Sequence, residues 1–257
     1  MGGFSFASVI LSYFLAAGGL LTGTLVIGYT HQSSQVVQLL LWAAGSLLGG
    51  FVAARASRGS TILEPAIGTI GLAATIVFMI AGSDAGKLMW HAGEVTSTGK
   101  IIAEIVGALV VGSLVGAFLS EKILGEATTS SIPWVLYSAL TAFGAAFVGT
   151  FIAVVLFAKG EAATYDTLAK MMLAGVGIGA LLGGLAVGAS ARTRPLIAAF
   201  LGGAVGVAGF FLMITVGEAK QHDADVQKGI AVLAVGGAIV MLVGAVGGWF
   251  TFGKRNA

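Results

Sequence analysis

Eight long apolar runs, separated by short polar stretches, divide the chain. A helix needs about 20 apolar residues to cross the hydrocarbon core of a bilayer. Strands of a membrane barrel alternate in polarity and are about 10 residues long, so these continuous runs predict helices. The predicted spans are Phe4–Tyr29, Val36–Ala54, Pro65–Ala81, Ile101–Leu119, Ile132–Ala158, Leu168–Ala189, Pro195–Val216 and Gly229–Phe252. The first run has no basic residue before it and exceeds the apolar part of a signal peptide, about 7–15 residues, so we expect it to be retained.

The second half of the chain resembles the first. The second span ends in GSLLGGFVAARASRG and the sixth in GALLGGLAVGASART, while GALVVGSLVGAF in the fourth resembles GAIVMLVGAVGG in the eighth. The third span opens with EPAIG and the seventh with RPLIA. This predicts a tandem duplication of a four-helix unit, with repeats at residues 1–126 and 127–257. Four is even, so both repeats enter the membrane from one side, as parallel repeats about a pseudo-two-fold axis along the membrane normal.

Composition places this chain among integral membrane proteins. Hydrophobic residues make up 57% and charged residues 9%, whereas a soluble domain carries about 25% charged residues. The predicted fold class is therefore an all-α membrane protein with eight transmembrane helices. The chain has no cysteine, which excludes disulfides, thiolate metal sites and covalent c-type haem. Nucleic acid is not an expected partner.

Arginines follow two of the spans and predict an orientation. Arg55 and Arg58 follow the second span, and Arg192 and Arg194 follow the sixth. Basic residues close to helix ends favour the cytoplasmic side, so we interpret these four as cytoplasmic anchors. Lysine and arginine together are nearly balanced between the two faces, so the prediction depends on the arginines. It gives a multi-pass protein of the inner cell membrane with both termini in the cytoplasm.

Glycines recur at a spacing of four residues in several spans. This spacing clears one face of a helix and lets a neighbouring backbone approach closely. We interpret the glycines as helix-packing positions, and the alternative is a gap that holds a lipid, pigment or quinone or forms a pore. No cofactor is predicted beyond a bound lipid or quinone of this kind. The packing glycines are Gly45, Gly49, Gly112, Gly116, Gly175, Gly179, Gly183, Gly202, Gly206, Gly244 and Gly248.

The middles of the spans carry hydroxyl and amide side chains, and two acids come nearest to the membrane interior. Glu104 lies about one turn inside the fourth span, four residues after Lys100. It is a candidate vestibule acid for an ion or proton, although pairing with Lys100 at the interface is the favoured interpretation. Glu64 precedes Pro65, and an acid followed by proline suits the first turn of a helix. We interpret Glu64 as a helix-terminus residue.

Two similar histidine motifs lie in predicted outer loops, HAGEV at His91 and HDADV at His222. In each, a histidine is three residues from an acid, so both side chains share one face of a helical turn. Imidazole and carboxylate together can bind a divalent metal. His91, Glu94, His222 and Asp225 therefore form a candidate outer-face site for a metal or a partner. A capped turn leading into the next helix is the favoured alternative.

The sequence favours a structural or accessory subunit of a larger membrane complex. Smooth apolar helices, short loops and the lack of a nucleophile, base or metal motif support this role over an enzyme. The expected partners are the lipid bilayer and other membrane subunits. The alternative is a channel or facilitator for a small solute or ion, with a path between the two repeats, because duplicated bundles are common among transporters.

Overall fold

The computed structural model describes residues 5–56, 62–82, 95–124, 131–157, 165–190, 195–215 and 224–252. Over these ranges the chain forms eight α-helices. They are Phe6–Thr30 (α1), Gln35–Ala56 (α2), Leu63–Gly82 (α3), Val95–Leu124 (α4), Ser131–Phe157 (α5), Tyr165–Ser190 (α6), Pro195–Thr215 (α7) and Ala224–Phe252 (α8). The predicted all-helical class is confirmed, with one helix for each apolar run.

Among the described residues, seven helices are long and apolar enough to cross a membrane, and the chain is a multi-pass membrane protein. The eighth, α3, has a shorter apolar stretch, Leu63–Phe78, in agreement with its short apolar run. Several helices are longer than the predicted spans. For example, α4 begins at Val95, six residues before the apolar run, because backbone hydrogen bonding continues into the polar interface where apolarity ends.

The connection between α1 and α2 is a tight left-handed turn. His31 has φ of 50°, and its N–H donates to the Gly28 carbonyl at 3.3 Å, while the Gln32 N–H donates to Ile27 at 3.2 Å. These two bonds satisfy carbonyl groups that the end of a helix leaves free. Since α2 starts at Gln35, the turn makes α1 and α2 an antiparallel pair.

Helices α1 and α5 form the centre of the bundle and are the most buried of the candidate spans. They pack against each other. On one side, α1 contacts α2 and α3, and α4 packs on α2 and α3. On the other side, α5 contacts α6 and α7, and α8 packs on α6 and α7. The bundle therefore consists of two groups of four helices that meet mainly at α1 and α5.

Glycines allow this central contact. A methyl group on Gly18 would overlap the carbonyl of Leu140, and one on Gly144 would overlap the carbonyl of Phe14. The two backbones touch directly, so a side chain larger than hydrogen at either glycine would separate the helices. In a membrane, helices associate through such dispersion contacts rather than through the hydrophobic effect.

Two glycines of α4 provide a test of this packing. Gly116→Ala places a methyl group against the Leu47 carbonyl, and we expect it to lower the stability by about 1–3 kcal/mol through overpacking. Gly107 has no atom within 4 Å of an added methyl group, so Gly107→Ala is expected to leave stability unchanged or raise it by about 0.5–1 kcal/mol. Thermal unfolding of the two variants in detergent measures both effects, and equal melting temperatures would contradict the packing interpretation.

Candidate functional site

Glu64 is a completely buried carboxylate at one end of the bundle. It lies in the first turn of α3, and its Oε1 accepts a hydrogen bond from the Ser5 N–H at 2.6 Å. Ser5 caps α1, and its hydroxyl accepts from the Ser8 N–H at 3.4 Å. In a capping box a glutamate of the same helix reaches back to the N-cap N–H. Here Glu64 of α3 does so for α1 and ties the starts of the two helices together.

Arg55 and Tyr137 form a second polar contact at the same end. Arg55 is half-buried in the last turn of α2, and its guanidinium lies close enough to the Tyr137 hydroxyl of α5 to interact with it. The Tyr137 ring meets Trp134 edge-on, with centroids 5.1 Å apart, and both rings are buried. This contact links the two groups of helices. We call this end, defined by Ser5, Glu64, Arg55 and Tyr137, the Glu64 face.

Glu104 lies at the opposite end, which we call the Glu104 face. Its two carboxylate oxygens accept from Nε2 of Gln35 at 3.1 and 3.2 Å, and Nζ of Lys100 lies 3.8 Å away. The side chain is 21% exposed. The structure thus contains the ion pair with Lys100 that the spacing favours. The carboxylate also joins the start of α2 to the body of α4, so Glu104 ties these two helices together.

The hydroxyl groups of the described spans mostly bond within the bundle. Thr22 donates to the Gly18 carbonyl at 2.8 Å and Thr141 to the Tyr137 carbonyl at 2.6 Å, in the usual bond of a hydroxyl to its own helix. The Tyr13 hydroxyl donates to Thr75 at 3.0 Å and joins α1 to α3. These groups therefore donate to helix backbones and neighbouring side chains.

Among the described residues, two buried hydroxyls have no hydrogen-bond partner, those of Ser46 and Ser138. Both serines lie at close crossings, Ser46 against Gly112 and Ser138 against Gly202. A residue with a small side chain is what these crossings require. Their role is therefore explained by size, without a bound ligand.

The candidate histidine site falls mainly outside the described residues. His91, Glu94 and His222 belong to that part of the chain, so their convergence stays a prediction. Asp225 is described, in the first turn of α8. Its side chain is 91% exposed and lies 3.6 Å from Nζ of Lys228, as an acid near a helix start often does. Among the described residues, no group of three or more His, Cys, Asp or Glu side chains could hold a metal ion.

The packing glycines all lie in helices at buried positions. Each has backbone or side-chain atoms of another helix close to the point where a Cβ would stand. Gly175, for example, lies against Thr150, and Gly248 lies against Leu185. Of the predicted arginine anchors, Arg55 is described, whereas Arg58, Arg192 and Arg194 lie outside the described residues.

Sequence reasoning missed three partners: Ser5, Gln35 and Tyr137. Each lies far along the chain from the charged group that it contacts. One signal was available, since helices that alternate in direction bring the starts of α1 and α3 to one face. Comparison of the chain with protein-family models, with curated proteins and with solved structures finds no match.

Substitution of Glu64 tests its role as a tie between helices. Glu64→Ala leaves the Ser5 N–H without this acceptor and is expected to cost about 1–3 kcal/mol, the penalty for an unsatisfied buried group. Glu64→Gln keeps a carbonyl oxygen at the same place and should cost less. Amide hydrogen exchange at Ser5 and thermal unfolding measure the difference. Unchanged exchange at Ser5 in the alanine variant would contradict the tie.

Proposed function

We propose that this protein is a structural or accessory subunit of a larger membrane assembly. The observation that carries this proposal is the central crossing of α1 and α5, where Gly18 and Gly144 bring two backbones into contact. A bundle closed at its centre in this way suits a rigid scaffold. The proposed role requires no catalysis, and the expected partners are other membrane subunits and the surrounding lipid.

The same crossing counts against the alternative of a channel between the two groups of helices. A path there would pass α1 and α5, which touch at Phe14 and Leu140. Opening it would break contacts that hold the bundle together. The hydroxyl groups that such a path would need as a lining bond instead to carbonyls of their own helices, as Thr22 and Thr141 do.

Native extraction tests the assembly. The protein, tagged in its own membrane and extracted in a mild detergent, should migrate on a native gel well above the same chain purified alone. Its partners should be integral membrane proteins at a constant ratio, and deleting this protein should lower their amount. A monomer in the native extract would contradict the proposal.

Flux measurements provide the control for the alternative. Liposomes that contain the purified chain should conduct ions and small solutes no faster than empty liposomes. Flux that rises with the amount of protein and shows a preference among solutes would favour the channel.

We further propose that the chain is a tandem duplication, with repeats at 1–126 and 127–257. The contacts of α1 and α5 support it. Gly18 lies on the Leu140 carbonyl and Gly144 on the Phe14 carbonyl. If Gly18 corresponds to Gly144 and Phe14 corresponds to Leu140, the two contacts are equivalent. In each, the glycine of one repeat touches the matching carbonyl of the other repeat. Such a reciprocal contact is typical of a two-fold interface.

Contacts between other helices support the same correspondence. Gly68 of α3 lies against Ser12 of α1, and Gly202 of α7 lies against Ser138 of α5. The serines precede Phe14 and Leu140 by the same two residues, so both correspondences share one register along α1 and α5. The order of helix contacts agrees, because α4 packs on α2 and α3 as α8 packs on α6 and α7.

A third pair of contacts involves the outer helices. Gly116 of α4 lies on the Leu47 carbonyl, and Gly244 of α8 lies on the Leu181 carbonyl. Leu47 and Leu181 occupy the same place in GSLLGG and GALLGG. In the proposed duplication, a pseudo-two-fold axis passes between α1 and α5, and the two repeats are parallel.

The contacts revise one sequence match. If Gly68 corresponds to Gly202, then Glu64 aligns with Ala198. The EPAIG and RPLIA segments instead align Glu64 with Arg194. Ala198 is buried like Glu64. In this proposal, the buried acid belongs to the first repeat alone.

Two half-chains test whether the repeats are separate units. Residues 1–126 and 127–257, expressed together as two chains, should co-purify, because their interface consists of noncovalent helix contacts. Gly144→Leu should reduce the recovered complex several-fold by separating α5 from α1. Gly177→Leu is the control, since nothing lies within 4 Å of a Cβ at Gly177. Half-chains that do not give a folded complex would contradict the proposed units.

For orientation, we propose that the Glu64 face is cytoplasmic and that the membrane is the inner cell membrane. Arg55 and Lys122 lie in the last turns of α2 and α4, which end at this face. Basic residues at helix ends favour the cytoplasmic side. Both termini would then be cytoplasmic, because α1 begins and α8 ends there.

A further inference from the structure

We propose that a groove between α1, α5 and α6 binds one acyl chain of a bilayer phospholipid. The groove has a volume of about 390 Å³. The residues that line it include Phe14 of α1, Gly149 and Ala153 of α5, and Ile178 and Leu182 of α6. We call it the Gly149 groove. The proposal does not depend on the role in an assembly.

Close packing of α5 against α6 creates the groove. A methyl group on Gly149 would overlap the Gly175 carbonyl, and one on Gly179 would overlap the Ala145 carbonyl. The groove lies beside this crossing, and Gly149 and Gly179 both line it. From Ala145 to Ala153, the lining of α5 runs about 12 Å along the helix, at 1.5 Å per residue.

The groove is continuous with the surface that the helices present to lipid. Ile152, Ile178 and Leu182 line it and are 46%, 55% and 44% exposed. All three belong to candidate membrane spans. The molecules that reach this opening are therefore those dissolved in the hydrocarbon of the bilayer, and phospholipid chains are the most abundant of them.

The lining selects hydrocarbon over water. It consists almost entirely of apolar atoms, whereas a buried water needs two to four polar partners. The hydroxyl of Tyr13, which lines the groove, already donates to Thr75. An apolar cavity of about 150 Å³ is large enough for benzene, so this groove has room for a longer chain segment. The lining carries no charged side chain, which matches a neutral chain rather than a charged head group.

Photo-crosslinking tests the site. The protein is reconstituted with phosphatidylcholine that carries a diazirine on one acyl chain, illuminated, digested and mapped by mass spectrometry. Adducts on Ile152 and Ile178 should exceed those on Val205, an exposed lipid-facing residue of α7, by roughly fivefold, because chain atoms in the groove contact protein on several sides. Equal labelling at all three would mean ordinary boundary lipid and would overturn the proposal.

A filling variant and a matched control sharpen the test. Leu182→Trp enlarges a side chain that lines the groove and should reduce adducts on Ile152 to the level of Val205. Leu173→Trp is the control, because Leu173 is on the same helix, is also 44% exposed and does not line the groove. If Leu182→Trp does not fold, Ala153→Leu fills the groove from α5 instead. Adducts on Ile152 that persist in a folded filling variant would exclude chain binding in the groove.

Discussion

The direct backbone contact between α1 and α5 is the interaction on which the rest of the bundle depends. In hydrocarbon, apolar side chains gain nothing by leaving lipid for another helix, so association requires closer packing than lipid provides. Gly18 and Gly144 supply it by letting each helix touch the other's carbonyls. The two groups of four helices meet mainly at this crossing. Similar glycine contacts hold α2 against α4 and α6 against α8, where Gly50 lies on Ser113 and Gly184 on Met241.

Polar contacts complete the structure at the two ends, where the glycine crossings do not reach. Glu64 holds the start of α1, and Glu104 joins the start of α2 to α4. Charged groups are expensive inside hydrocarbon and are best satisfied where helices end. These contacts set how the helix ends that they join lie relative to one another.

The helices could be predicted from sequence because the length of an apolar run reflects the thickness of a bilayer. Pairs such as Lys100 and Glu104 could be predicted because one helix fixes their separation. By contrast, the contacts of Glu64 with Ser5 and of Arg55 with Tyr137 depend on how separate helices cross. The sequence around Glu64 also does not predict that its side chain is buried, because an acid before proline is equally suited to an exposed first turn. The contact with Ser5, which precedes α1, appears only once the helices are packed together.

In the proposed duplication, the glycine contacts and the contacts of charged side chains differ in whether they are present in both halves. The glycine contacts recur in both halves, because each half must bury the same faces. The charged groups do not recur: the buried Glu64 corresponds to Ala198, and the half-buried Arg55 corresponds to Ala189, and both alanines are buried. A two-fold bundle can keep its packing while one half replaces alanine-sized positions with charged groups, provided that each gains a partner. Arg55 does so across the interface, at Tyr137, where the first half contacts the second. The glycine contacts are therefore common to both halves, whereas the charged residues Glu64 and Arg55 occur at one end of the first half and not at the matching end of the second.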